Sequence, residues 1–165
     1  MSEAVDVTRC QWLEPGGLAA AQAIVAFLED VGIPLEVSAI DGGSFVPGLA
    51  IVNGTLRIDP MVMAWPGDLL HEAGHVAVVE PQRRLNLCDV GTDAGEEMAA
   101  LAWSVAAAKA CGTGLDVLFH PGGYKGDSAW LAEQFGTGAP FGVPLLAWYG
   151  MTSEAGFPSM ERWLR

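Results

Sequence analysis

Leu69-Leu70-His71-Glu72-Ala73-Gly74-His75-Val76-Ala77-Val78-Val79 is the stretch on which the reading of this chain turns. Its apolar residues recur at helical spacing and Pro81 follows closely, so a helix is expected from about Asp68, as N-cap, to about Val79. On a helix, residues four apart are offset by only about 40°. His71 and His75 therefore present their rings side by side, at the spacing that lets two imidazole nitrogens reach one tetrahedral ion. Glu72 lies roughly 100° round from His71. It is poorly placed to share a metal and well placed to hold a metal-bound water. Zinc lowers the pKa of such a water to about 7, and a carboxylate there can take its proton as it attacks a carbonyl. H-E-x-x-H is thus a more specific signal than a pair of histidines. Two histidines and a glutamate within an apolar helix also need a reason, because burying them unpaired is costly. The plain alternative, a solvated surface pair, suits this apolar setting poorly.

Gly74 costs a helix about 1 kcal/mol relative to Ala, so a packing reason is expected. Ala73 and Gly74 would let another helix come close, and the Ala-rich run Met98 to Ala108 suits that partner. It belongs to a second expected helix, from about Asp93 to Ala110, ended by Gly112. A catalytic zinc needs a third protein ligand and an open position for water. Glu, Asp or His120, the third and last histidine, must supply it. Glu96 and Glu97 open the second helix, and each is followed three positions later by an alanine that permits tight contact. Periodicity favours Glu97, which shares a stripe with Leu101, Ser104 and Val105. Glu96, on the side of Ala100 and Trp103, stays open as the alternative. Whichever is not a ligand is a first-turn carboxylate favoured by the helix dipole.

Outward from this core the pattern is mixed. Gly17 to Val31 carries apolar residues at helical spacing and stops at Gly32, with Pro34 behind. Leu35 to Ile40 alternates like a half-buried strand. Leu49-Ala50-Ile51-Val52 and Thr55-Leu56-Arg57-Ile58 flank Asn53-Gly54, a strong hairpin signal. Further on come Leu115 to Phe119, the loop Pro121-Gly122-Gly123-Tyr124, a short helix from Asp127 to Phe135, and Pro144 to Met151, which reads as either strand or buried helix. No linker or repeat divides the chain, so residues 1–165 are expected to form one α+β domain.

Composition narrows the function. The formal net charge of −12 repels phosphate backbones and anionic lipid, so neither nucleic acid nor a membrane is expected as a partner. Cys10, Cys88 and Cys111 form no C-x-x-C pair and no even framework, which favours reduced thiols in a cytoplasm. The first residues lack the basic-then-apolar pattern of a signal peptide, and Met98 to Ala108 is too short to span a bilayer.

H-E-A-G-H followed by Gly95-Glu96-Glu97-Met98-Ala99-Ala100-Leu101-Ala102-Trp103 resembles the gluzincin arrangement, in which a Glu on the next helix completes the zinc site. The order helix, strand, hairpin, H-E-x-x-H helix, Glu helix is also similar to the small ImmA/IrrE-type metallopeptidases, over roughly Gly17 to Cys111. Ala99-Ala100 and Ala102-Trp103 stand where that family has an Ala-Asn pair and a Phe-Ala. The resemblance implies a zincin-like fold, one Zn2+ ion, a peptide or protein substrate and Glu72 as general base. It also implies a His or Tyr that stabilises the oxyanion, here His120 or Tyr124. His120 as third ligand is a variant of the same scheme. Asp89 and Asp93 are candidates to bond the outer nitrogen of a ligating histidine, though Asp93 can instead cap its helix. The competing function is a non-catalytic regulatory or protein-binding module stabilised by zinc. Glu72 separates the two, since a structural ion has no use for a carboxylate at that place and takes four protein ligands.

Overall fold

Two helices meeting at glycine and alanine carry the candidate site, and the other elements are arranged around them. A computed structural model of the chain describes residues 4–88, 93–137 and 141–165. Helix α1 (Gly17–Val31) buries Ala21, Ile24, Val25 and Leu28 on one stripe. Gly32, with a left-handed φ of 94°, ends it as glycine does at a helix C-terminus. Strands β1 (Leu35–Val37), β2 (Leu49–Val52) and β3 (Thr55–Ile58) form one sheet in the order β1-β3-β2. β2 and β3 are an antiparallel hairpin paired from Val52–Thr55 to Leu49–Ile58, and β1 runs parallel to β3. Asn53 and Gly54 take φ of 50° and 75°, the two left-handed positions of a type I′ turn. Leu49, Ile51, Leu56 and Ile58 are all buried, so the hairpin contributes one apolar face to the core. β1 is shorter than the alternation to Ile40 suggests. The Ile40 N–H is taken by the Asp59 carboxylate at 3.1 Å, which draws the chain out of the ladder after Ser38.

Helix α2 (Pro66–Val78) bears H-E-A-G-H. It begins earlier than expected. Trp65, in an extended conformation, is the N-cap, and Pro66 fills the first helical position, where its missing N–H is no loss. Asp68 is therefore not the cap but the third residue of the helix, and its carboxylate is used elsewhere. Every residue of α2 except His71 is buried, because α1, the hairpin, α4 and α5 pack around it. Its C-terminal carbonyls are satisfied by two guanidinium groups. Arg84 donates to Val76 O at 3.0 Å and to Ala77 O at 3.2 Å, and Arg165 donates to Val78 O at 3.3 Å.

Helix α3 (Pro81–Arg84) leads towards α4 (Ala94–Ala110), where Asp93 is the N-cap and accepts from the Glu96 N–H at 2.8 Å. Beyond α4 lie α5 (Leu115–Leu118), a 3-10 turn (Tyr124–Gly126), α6 (Ser128–Gly136) and α7 (Val143–Trp148). The stretch after Pro144 is thus helical at its start. The architecture is α+β, seven α-helices with a small three-stranded sheet among the described residues. α4 is buried on all sides from Ala99 to Ala108. It lies so close to α2 that a Cβ on Gly74 would come within 2.7 Å of Ala100 O.

That contact reverses an ordinary rule. Gly to Ala in an exposed helix stabilises by about 1 kcal/mol. Gly74→Ala is expected instead to destabilise by roughly 1–3 kcal/mol, because the added methyl must push two packed backbones apart. Urea unfolding of parent and variant checks this, and an unchanged or raised midpoint would show that the helices do not meet there.

Candidate metal centre

The α2–α4 contact brings the first turn of α4 over the histidine face of α2. His71 Nε2 and His75 Nε2 are 3.3 Å apart. Glu97 reaches both, with Oε1 at 3.4 Å from His71 Nε2 and Oε2 at 3.0 Å from His75 Nε2. Ligand atoms held about 2.0–2.1 Å from a tetrahedral zinc stand about 3.3 Å from one another. The two ring nitrogens, and each ring nitrogen with its nearer Glu97 oxygen, stand at about that separation, and one ligand atom from each of the three residues lies within 4.8 Å of the others. The donor set, two imidazoles and one carboxylate, also suits zinc, so the residues present fit the ion. His75 is buried and His71 nearly so, whereas the Glu97 side chain is 46% exposed, which leaves the centre approachable from the α4 side.

Electrostatics favour the ligating forms. Burial, reinforced by the neighbouring charge of His75, pushes His71 down to about 4, so its imidazole is neutral near pH 7. The hydrogen bond from His75 holds the Glu97 carboxyl below its ordinary range despite partial burial. His71 Nδ1 is buried with no hydrogen-bond partner among the described residues. Of the two aspartates considered for that nitrogen, Asp93 caps α4 and Asp89 lies outside the described residues.

The other candidates divide sharply. Glu96 does not join the cluster; its Oε1 accepts from Arg83 Nη1 at 2.6 Å, one step round the helix from Glu97. Glu72 is 4% exposed and sits on α2 between the two histidines. His120, expected as oxyanion donor or alternative ligand, is buried with both ring nitrogens engaged. Its Nδ1 accepts from the Gly122 N–H at 3.2 Å, which assigns the proton to Nε2, and Nε2 meets Asp68 Oδ1 at 2.6 Å. No nitrogen of His120 is left for a metal or a substrate. Its ring lies flat on Trp65, with centroids 4.2 Å apart and planes 4° from parallel.

Tyr124 is placed otherwise. Its ring stands edge-on to His71 at 5.3 Å and to Phe119 at 5.2 Å. Its hydroxyl is buried and has no hydrogen-bond partner among the described residues. Burial, with Asp68, Glu97 and Glu72 adding to it, pushes the phenol well above its usual 10. It is a neutral donor beside the cluster. Tyr124 and Lys125 have φ of 57° and 52°, a left-handed pair without glycine. The part played by Asp68 is what sequence reasoning missed. The signal was present, since residues 68, 71, 72 and 75 follow the spacing of a single helix face.

In the metal-free protein His71 should make stability depend on pH. The unfolded imidazole takes its proton near 6.5 and the folded one only near 4. Between those values the unfolded state binds the extra proton, so stability is lost as pH falls from 6.5 to 4. The loss due to His71 is on the order of 3 kcal/mol. Urea unfolding at about pH 7 and about pH 4.5 should show a drop that is smaller in His71→Gln; equal drops in both proteins would disprove the assignment.

No protein-family model, curated protein or solved structure matches this chain.

Proposed function

We propose that this chain is a zinc-dependent peptidase with a zincin-like fold and a gluzincin-like site, acting on a peptide or protein. The observation that carries the reading is the triangle of His71 Nε2, His75 Nε2 and a Glu97 carboxylate oxygen, with the buried Glu72 on the same helix. His71, His75 and Glu97 would hold one Zn2+ ion. The ion would supply Lewis acidity and a water that ionises near neutral pH. Glu72 accepts the proton of the attacking water and returns it to the departing amine as the peptide bond breaks. Tyr124, a neutral buried donor, supplies a hydrogen bond to the oxyanion as it develops. His120 takes no part in the chemistry. Substrate reaches the centre from the side of α4 on which Glu97 is exposed.

Three ligands among the described residues and a solvent-facing side suit a catalytic ion better than a structural one, which takes four ligands in a closed site. The charge of −12 supports a protein substrate over a nucleic acid. No helix among the described residues is long and apolar enough to cross a membrane. A cytoplasmic setting belongs to the same proposal, supported by three thiols that form no disulfide.

The test uses purified protein, metal analysis, and hydrolysis of a mixed peptide library followed by mass spectrometry. The parent should bind one zinc per chain. His71→Ala should lose it, and Glu96→Gln should keep both metal and turnover. Glu72→Gln should keep the metal and lose about 10²–10⁴-fold in rate, the usual worth of a positioned general base. Absence of stoichiometric zinc after reconstitution would sink the proposal. Zinc without any effect of Glu72→Gln would instead assign the metal to a non-catalytic binding module.

A further inference from the structure

The bond between Asp68 and His120 lies one helical turn from the metal-binding residues, and no step of the proposed hydrolysis uses it. Both side chains are buried, at 11% and 1% exposure. A buried polar pair of this kind is a poor source of stability, since apolar residues of similar volume serve as well. Its use is better sought in what it holds. His120 is the hub of the loop that follows α5. Its Nδ1 receives the Gly122 N–H, and its backbone carbonyl receives the Gly123 N–H at 3.3 Å and the Ser128 hydroxyl at 2.5 Å. The imidazole is pressed between the Trp65 ring and Gly123, where a Cβ would lie 2.9 Å from His120 Cε1. Gly122 in turn lies so close to Trp65 that a Cβ would come within 2.6 Å of its ring. The chain can wrap this tightly only with glycine at both positions.

The next residue is Tyr124. It and Lys125 adopt left-handed backbone angles, which non-glycine residues keep only where the surroundings hold them. We propose that Asp68 and His120 form a positioning pair: α2 grips the loop of residues 120–123 through their bond and thereby sets the Tyr124 ring edge-on against His71. The same helix then carries two metal ligands, the general base and the anchor of the loop that delivers the phenol. Neither Asp68 nor His120 belongs to the candidate ligand cluster. The purpose of the pair rests on the hydrolase reading, whereas its geometry does not.

Placement of Tyr124 can be read without any substrate. The chain has two tyrosines, so isotope-labelled tyrosine rings give two sets of NMR signals, and Tyr124→Phe assigns them. Co2+ in place of zinc should shift the Tyr124 signals strongly, because its ring abuts His71. Asp68→Ala should bind Co2+ with unchanged stoichiometry and lose most of that shift. Asp68→Asn should keep it, since an amide oxygen still accepts from His120 Nε2–H. His120→Asn, which can still accept from Gly122 N–H but cannot reach Asp68, should lose it as well. This second variant decides the matter if Asp68→Ala does not fold. An unchanged shift in the folded Asp68→Ala or His120→Asn protein, or an Asp68→Asn protein that behaves like Asp68→Ala, would overturn the pair's role. If the parent binds no Co2+, the metal reading fails by itself, and the shift that Phe119 and His71 impose on the metal-free Tyr124 ring serves as the readout for the same variants.

Discussion

The distance between α2 and α4 is the constraint on which the rest of the molecule depends. Gly74 against Ala100 lets two backbones approach until no methyl fits between them. The approach brings Glu97, at the start of one helix, to the imidazoles at the middle of the other. A larger residue at either contact would hold the helices further apart, and the carboxylate would fall short of both rings. Small residues here serve reach as much as packing. They also account for the unusual burial of α2, which is enclosed on nearly every side although it carries two histidines and two acids.

Such enclosure has an electrostatic consequence. Charged groups taken out of water must be paired or must give up their charge. In this protein several ionisable groups around the cluster meet that demand in different ways. His71 is held neutral by burial, Glu97 stays ionised by leaning on His75 and on solvent, and Asp68 is answered by His120. Tyr124 keeps its proton and lacks a partner among the described residues. A buried donor with nothing to bond is unfavourable in a resting fold. It is what a site needs if its partner arrives only with a substrate.

The sequence was most informative where a local rule had one physical outcome. Asn53-Gly54 permits few turns other than the one it makes, and Gly32 with Pro34 behind it permits α1 to end in only one way. It was least informative where a residue's role depends on a distant segment. Asp68 looked like a helix cap because Asp is a common cap, yet Pro66 had already taken the start of the helix. His120 read as an oxyanion donor or alternative ligand because nothing near it in the chain reveals a partner 52 positions away. Between Glu96 and Glu97 helical periodicity leaned to Glu97 but left Glu96 open, since α4 beyond its first turn is buried all round and shows no polar face. Arg83, whose guanidinium holds Glu96 while Glu97 faces the histidines, is 13 residues distant in the chain.

What the sequence determined by itself was the local geometry of the H-E-A-G-H helix and the hairpin, together with the small residues at which α2 could be approached. Backbone periods and turn chemistry act within a few residues and need nothing else. What only the tertiary structure decided was which acid faces the histidines, which ring nitrogens are spent, and which hydroxyl is left without a bond. Those outcomes depend on desolvation and on angstrom-scale distances between segments that meet only when the core closes.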